Sequence, residues 1–333
     1  MKVLFIMRPT STGFSMEQIY TKLCAHLIER GVSASIYKLQ STSHFPFRDI
    51  IKLNKIDADV FHITGDINYL STFLPWKNTI NTIHDIGRYS ELSGLKKFIY
   101  KLYWITFPVF ASKFIVVPSN QTKVKLLELF PSKSHKIIII ENFIGINIKY
   151  MPIKNNKKFT ILHVGTTKNK NLTNVILALQ GIDCALRIVG NILPNDHELL
   201  KKHKIDFQNY IDISDQEIIA LYQESDLTTF PSFHEGFGLP IIESQLAGTP
   251  LITSRISPMK EVAGNAAHLV DPNSVSEIRD AVINVIDHPK AQHEMIENGL
   301  KNAKKYSIKK NAESHLNLYQ QSLEEAKNKP NPS

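Results

Sequence analysis

The chain has 333 residues, of which 43% are apolar, and a formal net charge of +8. This length and composition are typical of a globular protein of about two domains, at roughly 150 residues per domain. No apolar run approaches the ~18 residues that span a membrane. The start has only five consecutive apolar residues before Arg8, which predicts a first strand rather than a signal peptide.

The charge is unevenly distributed. Residues 1–150 carry 19 Lys and Arg against 10 Asp and Glu, whereas residues 151–333 carry 20 against 21. A basic half beside a neutral half predicts an anionic surface or substrate for the first half. The chain has no helix-turn-helix pattern, zinc-ligand spacing or aromatic RNA-binding signature. We therefore expect an anionic membrane surface or lipid acceptor rather than nucleic acid.

The two cysteines, Cys24 and Cys184, lie far apart in apolar segments and show no metal-ligand spacing. This arrangement predicts buried free thiols in a reducing compartment, with a disulfide as the alternative. We expect a cytoplasmic protein that could work at the inner face of the membrane.

Short aliphatic or β-branched runs alternate with helix-length segments along the chain. Such strands are typical of buried parallel sheets. In chain order the predicted strands are KVLFIM, ASIYKL, DVFHIT, NTIHDI, KFIVVPS and KIIIIENF in a first block, and FTILHVG, ALRIVG, YIDIS, DLTTFPS, TPLITS and AAHLV in a second.

A lysine-rich stretch without periodicity, KYMPIKNNKKF, separates the two blocks and predicts a linker near Lys149–Lys158. We therefore predict an α/β protein of two doubly wound, Rossmann-like domains that face each other across a cleft. Two helix signals support this pattern. Ser214 and Glu217 form a predicted capping box, and Gly31 is a predicted C-terminal glycine signal.

The segment FHEGFGLPIIESQLAGTP, residues 233–250, follows a predicted strand and opens a helix with Pro240 as its expected first residue. Gly236 and Gly238 allow a tight turn close to a ligand. The expected free N–H groups from 238 to 242 would bind an anion. Glu235 would face the ligand, and Glu243, one turn into the helix, could accept two hydrogen bonds from a ribose diol. The alternative is that Glu243 only complements the helix dipole and Glu235 is a solvated loop residue.

The longer segment FPSFHEGFGLPIIESQLAGTPLITS resembles the E-x7-E motif of the retaining glycosyltransferases of family 4, which have the GT-B fold. The resemblance covers nearly the whole chain. TIHDI resembles the His-Asp motif of the N-terminal domain, and VVPSNQTKVKLLELF resembles the segment that closes that domain. LHVGTTKNKNLTNVILAL resembles the donor loop, and GNAAHLVDPNSVSEI resembles a late stretch of the second domain.

The resemblance implies a GT-B domain plan. Residues 1–150 would form an acceptor-binding domain and residues 151–310 a domain that binds a nucleotide-sugar. Residues 311–333 would form a helix that packs back on the first domain, followed by a frayed tail. No cofactor is implied beyond the nucleotide-diphosphate sugar, which is the donor substrate.

The resemblance also implies roles for residues of the second domain. Glu243 would bind the ribose hydroxyls, and Glu235 would face the transferred sugar. The backbone of Phe237, Gly238 and Leu239 would contact the diphosphate and the sugar. Lys170 would neutralise the diphosphate, where a fixed cation stabilises the charge that develops on the leaving group.

The donor loop departs from the family pattern at two positions. Many members have an arginine directly after the glycine, where this chain has Thr166, and others have arginine before the lysine, where it has Asn169. Lys168 is a candidate for the second donor-binding cation, and a solvated loop lysine is the alternative.

In the first domain, the resemblance places His84 near the donor sugar as a catalytic residue, although a lone histidine is often structural. Retention is usually explained by front-face attack, in which a phosphate oxygen of the leaving group takes the acceptor proton, so a side-chain base is not required. Gly13 matches a glycine turn near the donor phosphates. His234 could contact the sugar, or it could be a variable loop residue.

The triplet Asp57-Ala58-Asp59 fits the D-x-D metal motif of a different glycosyltransferase fold. Because it precedes a predicted strand, we expect an ordinary strand entry and no metal site.

Lys96, Lys97 and Lys101 lie among aromatic residues in LSGLKKFIYKLYWITF. A helix of this composition could lie on an anionic membrane, or it could pack in the domain with a lysine face outward.

The sequence therefore predicts a retaining, metal-independent hexosyltransferase. It would move a hexose from a UDP- or GDP-sugar to a saccharide or lipid-linked acceptor in bacterial surface polysaccharide assembly. The alternatives are a sugar phosphorylase or epimerase on the same fold, or a non-catalytic protein that binds a nucleotide-sugar.

Overall fold

The computed structural model of the chain describes residues 1–9, 14–40, 46–75, 78–152 and 156–327. The chain forms two compact units. The first, called here the N-terminal unit, comprises Met1–Gly145 and Ser307–Ser333, and the second, the C-terminal unit, comprises Ile146–Tyr306. The domain limits expected from the sequence, after residues 150 and 310, lie a few residues beyond these boundaries.

The N-terminal unit contains a six-stranded parallel sheet with the order β2-β1-β3-β4-β5-β6. Its strands are β1 (Lys2–Met7), β2 (Ser33–Lys38), β3 (Val60–Ile63), β4 (Thr79–Thr82), β5 (Phe114–Val117) and β6 (Ile137–Ile139). Its first helices are α1 (Phe14–Glu29), α2 (Phe47–Leu53), α3 (Gly87–Glu91), α4 (Gly94–Tyr100), α5 (Phe107–Ala111) and α6 (Asn120–Leu129), with 3₁₀ turns at Asn68–Phe73 and Pro131–Lys136 and a π-helical turn at Lys101–Thr106.

The C-terminal unit contains a second six-stranded parallel sheet, with the order β12-β11-β10-β7-β8-β9. Its strands are β7 (Phe159–Val164), β8 (Cys184–Val189), β9 (Asp206–Tyr210), β10 (Leu227–Phe230), β11 (Leu251–Ser254) and β12 (His268–Val270). Its helices are α7 (Leu172–Ala178), α8 (Pro194–Lys202), α9 (Asp215–Glu224), α10 (Leu239–Ala247), α11 (Met259–Ala263), α12 (Val275–Asp287) and α13 (Pro289–Ala303), and a 3₁₀ turn covers Lys168–Lys170.

The last helix, α14 (Ile308–Lys327), belongs to the N-terminal unit. A buried polar chain ties it to the sheet: the Nδ1 atom of His62 on β3 lies 2.6 Å from the hydroxyl of Tyr319. The Nε2 atom of His62 lies 2.8 Å from the Thr82 hydroxyl, which in turn accepts from Tyr20 at 3.0 Å. The helix is therefore fixed to this unit by hydrogen bonds as well as by apolar packing.

Helices cover both faces of the C-terminal sheet, so each face has its own core. One core joins α7, α8 and α12, for example through Val175, Leu200 and Val282. The other lies against α9 and α10 and includes Tyr222 and Ala247. This two-layered burial explains why most strands of the unit read as continuous apolar runs.

The strand order reverses at one place in each sheet. In the N-terminal sheet this switch point lies between β1 and β3, and in the C-terminal sheet between β7 and β10. The order of the C-terminal sheet is that of the dinucleotide-binding Rossmann domains. Open α/β sheets bind ligands outside the carboxyl ends of the strands at such a point.

Each predicted strand overlaps an observed one, but two were placed wrongly. β4 ends at Thr82, so His84 lies beyond the strand rather than in it. β9 covers Asp206–Tyr210 and so shares only Tyr210 with the strand predicted at residues 210–214. β9 is the edge strand next to β8, and it is largely exposed with few apolar residues. A search for apolar runs therefore did not detect it.

Several local signals are confirmed. Ser214 and Glu217 form the complete capping box of α9, and Gly31 has a φ of 82° just after α1. Both cysteines are buried free thiols. Among the described residues, no helix is sufficiently long and apolar to span a membrane.

Candidate functional site

The switch point of the C-terminal unit is formed by two loops. One follows β7 and runs from Gly165 to Asn171, and the other follows β10 and runs from Pro231 to Gly238. Gly165 has a φ of 93°, and a Cβ atom there would lie 2.8 Å from the side chain of Lys170. The first loop therefore needs glycine for its backbone conformation and for the space that the lysine occupies.

Lys170 and Glu235 are paired across these two loops. The lysine Nζ donates to the glutamate Oε1 at 2.6 Å, and the two side chains retain 21% and 12% of their exposure. The ammonium group also lies 4.8 Å from the centre of the Phe230 ring. The two residues that the sequence assigned to catalysis in this unit therefore form a largely buried ion pair at the carboxyl ends of β7 and β10.

Asn169, at one of the two departures from the family pattern, holds the two loops together. Its carbonyl accepts from the Phe233 N–H at 2.8 Å, and its side-chain amide donates to the His234 carbonyl at 3.2 Å. These bonds precede Glu235 directly and fix the backbone from which that carboxylate projects. At this position the chain therefore has an amide that holds the two loops together, and not the positive charge of an arginine.

Thr166, at the other departure, also makes a structural bond. Its hydroxyl donates to the Asn191 carbonyl at 2.6 Å, in the loop that follows β8. A Cβ atom at Gly190, which has a φ of 124°, would lie 2.8 Å from that hydroxyl oxygen. Thr166 therefore joins the loops that follow β7 and β8.

The glycine turn leads directly into α10. The helix begins at Leu239, one residue earlier than predicted, so Pro240 is not its first residue. Gly238 precedes it with a φ of 105°. Pro240 has no N–H and the Ile241 N–H donates to the Gly238 carbonyl, so the predicted run of free N–H groups from 238 to 242 is wrong. The N–H groups of Gly238 and Leu239 lie ahead of the first helical hydrogen bonds of α10.

Phe237 contributes its side chain to the core rather than to the turn. The ring is 4% exposed and packs edge-on against Tyr306 at 5.6 Å. This packing anchors the turn, so that its backbone is held at the switch point.

Glu243 lies half-buried on α10 and accepts a hydrogen bond from the hydroxyl of Tyr222 at 2.8 Å. Burial raises the pKa of Glu243 to about 7, while the Tyr222 hydrogen bond and the charge of Lys170 oppose the rise. Burial also raises the pKa of Tyr222 well above its usual value. Nothing in the sequence pattern pointed to Tyr222, because it reads as an ordinary core residue of α9.

Lys168 points to a different place from Lys170. With Leu193 and Phe233 it lines a groove of ≈ 530 Å³ between the starts of α7 and α8. The side chain is exposed and no ion pair holds it within the described part of the chain. The structure therefore does not bring Lys168 to the Lys170–Glu235 pair.

In the N-terminal unit, His84 lies at the switch point between β1 and β3. Its Nε2 donates to the Thr64 carbonyl at 2.7 Å, and its buried Nδ1 has no partner among the described residues. A Cβ atom at Gly65 would lie 2.5 Å from the ring, so only glycine leaves room for the histidine. Burial lowers the pKa of His84, which favours the neutral ring. Arg8 lies nearby and pairs with Asp66 at 2.8 Å.

Next to His84, Asp85 accepts from the Gly87 N–H at 2.8 Å and so caps its own turn. Two other sequence hypotheses concern the D-x-D triplet and Gly13. Asp57 and Asp59 both bond to Lys2, through its ammonium and its N–H respectively, at the entry to β3. Gly13 lies outside the described residues.

The basic aromatic segment presents two faces. Tyr100 stacks on Trp104 with ring centres 5.7 Å apart, and both pack against the core. α4 contains no buried residue, and Leu95 and Phe98 are 72% and 62% exposed. The outward face is thus apolar as well as basic.

Residues 148–302 match the family described as glycosyl transferases group 1. The O-antigen chain mannosyltransferase RfbU of Salmonella typhimurium is 27% identical over 229 residues, which are 65% of this chain and 63% of that protein. The O-antigen chain mannosyltransferase B of Escherichia coli is 31% identical over 107 residues, which are 32% of this chain and 28% of its own length. The matches thus span less than two thirds of these relatives.

Two solved structures share the fold over nearly the whole chain. Sucrose-phosphate synthase from Thermosynechococcus elongatus has a TM-score of 0.75 and 16% identity, covering 96% of this chain and 99% of its own. HepE from Anabaena, solved in complex with UDP and glucose, has a TM-score of 0.77 and 14% identity, covering 96% and 100%. The predicted α/β GT-B fold is confirmed, and residues 148–302 are similar in sequence to the group 1 glycosyl transferases.

Proposed function

We propose that the protein is a retaining glycosyltransferase of family 4. It moves a hexose from a UDP- or GDP-sugar to a saccharide or lipid-linked acceptor in bacterial surface polysaccharide assembly. The observation that carries the proposal is the set of charged groups at the C-terminal switch point: the Lys170–Glu235 pair and the carboxylate of Glu243, which follow β7 and β10. The relatives named as O-antigen mannosyltransferases support this class of reaction and make mannose the first sugar to test.

Each group fits one part of a nucleotide-sugar. Glu243 keeps an oxygen, Oε1, to accept from a ribose diol, because Tyr222 bonds to the other one. The N–H groups of Gly238 and Leu239 at the start of α10 favour a phosphate. Lys170 neutralises the charge that accumulates on the departing diphosphate, and Glu235 accepts from hydroxyls of the transferred sugar.

Transfer with retention needs no separate side-chain base in this proposal. The acceptor oxygen attacks from the face that the diphosphate leaves, the bond from the anomeric carbon to the phosphate oxygen breaks, and that oxygen takes the acceptor proton. Lys170 and the start of α10 supply the positive charge, so we propose a reaction that needs neither a metal nor a cofactor. His84 is proposed to contact the donor sugar as a neutral ring.

The proposal is tested by incubating the protein with GDP-mannose, UDP-glucose and related donors in EDTA, with bacterial lipid-linked oligosaccharides as acceptors. We expect release of one nucleoside diphosphate and a product with the anomeric configuration of the donor, as read by NMR. Glu235→Gln is the matched control and should abolish transfer. An inverted product, or transfer that requires a divalent ion, would contradict the mechanism.

A non-catalytic protein that binds nucleotide-sugars is the second candidate. It would bind a nucleoside diphosphate through the same groups and release nothing from any donor. The presence of both Lys170 and Glu235, already paired, favours the enzyme because their roles concern the bond that breaks.

We further propose that the N-terminal unit docks on an anionic membrane from the cytoplasmic side. The exposed apolar residues of the segment from α4 to α5 carry this proposal, together with the neighbouring lysines. They are Leu95, Phe98, Ile99, Tyr103 and Phe110, with Lys96, Lys97 and Lys101. Apolar side chains flanked by lysines bind the headgroup region of anionic bilayers.

Sedimentation with vesicles tests the docking. The protein should bind phosphatidylglycerol vesicles at low salt, bind phosphatidylcholine vesicles weakly, and lose binding in Phe98→Asp. Phe47→Asp, at a site that is 63% exposed elsewhere in the unit, should bind as the wild type does. Equal binding by both variants would contradict a role for this segment.

A further inference from the structure

Tyr222 is completely buried, yet its hydroxyl is directed at a carboxylate. The residue lies on α9, is 0% exposed, and packs in the core that includes Leu162 and Ala247. Its hydroxyl donates to Glu243 Oε2 at 2.8 Å, and its carbonyl accepts from the Thr249 hydroxyl at 2.6 Å. Both ends of the residue are therefore tied to α10 or to the turn that follows it.

The carboxylate of Glu243 has no other hydrogen-bond partner in the part of the chain that the structure describes. An ionised carboxylate offers about four acceptor positions, and the tyrosine occupies one of them on Oε2. The contact fixes the rotation of the carboxylate and leaves Oε1 open. The tyrosine therefore orients the carboxylate and leaves one of its oxygens able to accept a hydrogen bond from a ligand.

We propose that Tyr222 is a positioning residue for nucleotide binding, which holds Glu243 ionised and oriented toward the ribose diol. This inference rests on the proposed function and names a residue that the motif does not contain. Tyr222 contacts no substrate and acts only through Glu243.

The charges around Glu243 define how the effect should depend on pH. Burial disfavours the ionised form, the tyrosine bond and Lys170 favour it, and Asp215 on α9 disfavours it. Without the hydroxyl, less opposes the effect of burial, so the pKa of Glu243 should rise further and the carboxyl should keep its proton to a higher pH. The charged acceptor for the diol would then be lost at neutral pH and regained in alkaline solution.

Tyr222→Phe removes only the hydroxyl and tests the inference by calorimetry with GDP and UDP between pH 6 and 9. We expect the dissociation constant of the preferred nucleotide to rise about tenfold at pH 7, the size expected for a hydrogen bond to a charged group. The deficit should shrink at pH 9. Tyr319→Phe removes another fully buried hydroxyl, in the N-terminal unit, and should leave nucleotide affinity unchanged at every pH.

Glu243→Gln and the double variant separate this inference from the proposed function. If Glu243→Gln binds nucleotide as the wild type does, the ribose role fails. If Glu243→Gln weakens binding but Tyr222→Phe does not, or does so equally at every pH, the positioning role is wrong. The inference also predicts that Tyr222→Phe has no further effect in a Glu243→Gln background, whereas additive losses would overturn it.

Discussion

The two units share a doubly wound plan but use their buried polar groups differently. In the N-terminal unit, the cluster that ties α14 to the sheet is neutral: the rings of His62 and His315 lie 5.5 Å apart, with hydroxyl groups as partners of His62. In the C-terminal unit the switch point holds charged groups, namely Lys170, Glu235 and Glu243. The C-terminal unit also has a buried histidine, His163, whose pKa is lowered to about 4 by burial and by the charge of Lys170, which favours the neutral ring.

The difference separates the two polar clusters by what their burial requires. Neutral hydrogen-bonded groups can be buried at modest cost, whereas buried charges are destabilising unless a partner offsets their desolvation. Under the proposed function, a bound nucleotide-sugar is that partner for the charged cluster at the C-terminal switch point. The neutral cluster ties α14 to its sheet.

Lys170→Ala should give the largest effect. We expect turnover to fall by about 10²–10³, the usual loss when one group that stabilises developing charge is removed. The fold should persist, because the pair lies beyond the carboxyl ends of β7 and β10 and not in the apolar core. Steady-state rates and a thermal melt measure the two effects, and wild-type turnover would refute the assignment.

Acid should destabilise the N-terminal unit first. Burial lowers the pKa of His315 from 6.5 to about 4. Burial, together with the neighbouring His315 and His84, also lowers the pKa of His62 well below 6.5. Both rings bind protons more readily in the unfolded chain than in the folded one. The contribution of these histidines to the free energy of unfolding is therefore fully present above pH 6.5 and is lost as the pH falls toward 4. For His315 alone the loss is about 3 kcal/mol.

The sequence supplies a probe that distinguishes the units. Trp104 packs against the core of the N-terminal unit, and the other tryptophan, at position 76, lies outside the described residues. Through Trp104, tryptophan fluorescence reports on the N-terminal unit, while far-ultraviolet circular dichroism follows both units. We expect the fluorescence transition to occur at a higher pH than the loss of the remaining helix signal. The reverse order would break the comparison.

Glu243→Gln should have an intermediate effect on nucleotide binding. Since the pKa of Glu243 is raised to about 7, wild-type affinity should weaken as the pH falls below that value and the acceptor is protonated. The glutamine variant should bind about tenfold more weakly at pH 8 and lack this transition. Calorimetry between pH 6 and 9 measures both, and parallel profiles would show that Glu243 does not titrate at the site.

Lys168→Ala should have the smallest effect, because this side chain lines the groove with Phe233 and not the Glu235 pair. We expect less than a twofold change in nucleotide affinity. A loss as large as that of Lys170→Ala would show that Lys168 is the second donor-binding cation.

The sequence predicted the fold class and the parallel strands because buried β-strands carry a strong apolar signal. It missed the place of β9, whose edge position removes that signal, and it set the start of α10 one residue late. Within the candidate site, the resemblance pointed to Glu235, Glu243 and Lys170 but not to Tyr222, which donates to Glu243, or to Asn169, which holds the loop of Glu235. Tyr222 and Asn169 act through contacts 21 and 64 residues away, and single-sequence patterns do not report such distances.

The most direct test of the account is calorimetry of the wild-type protein with UDP, GDP, ADP, CMP and dTDP in the presence of EDTA. The account predicts that one nucleoside diphosphate binds without metal and that Lys170→Ala weakens this binding. If well-folded protein binds none of them, the charged cluster at the C-terminal switch point is not a nucleotide-sugar site.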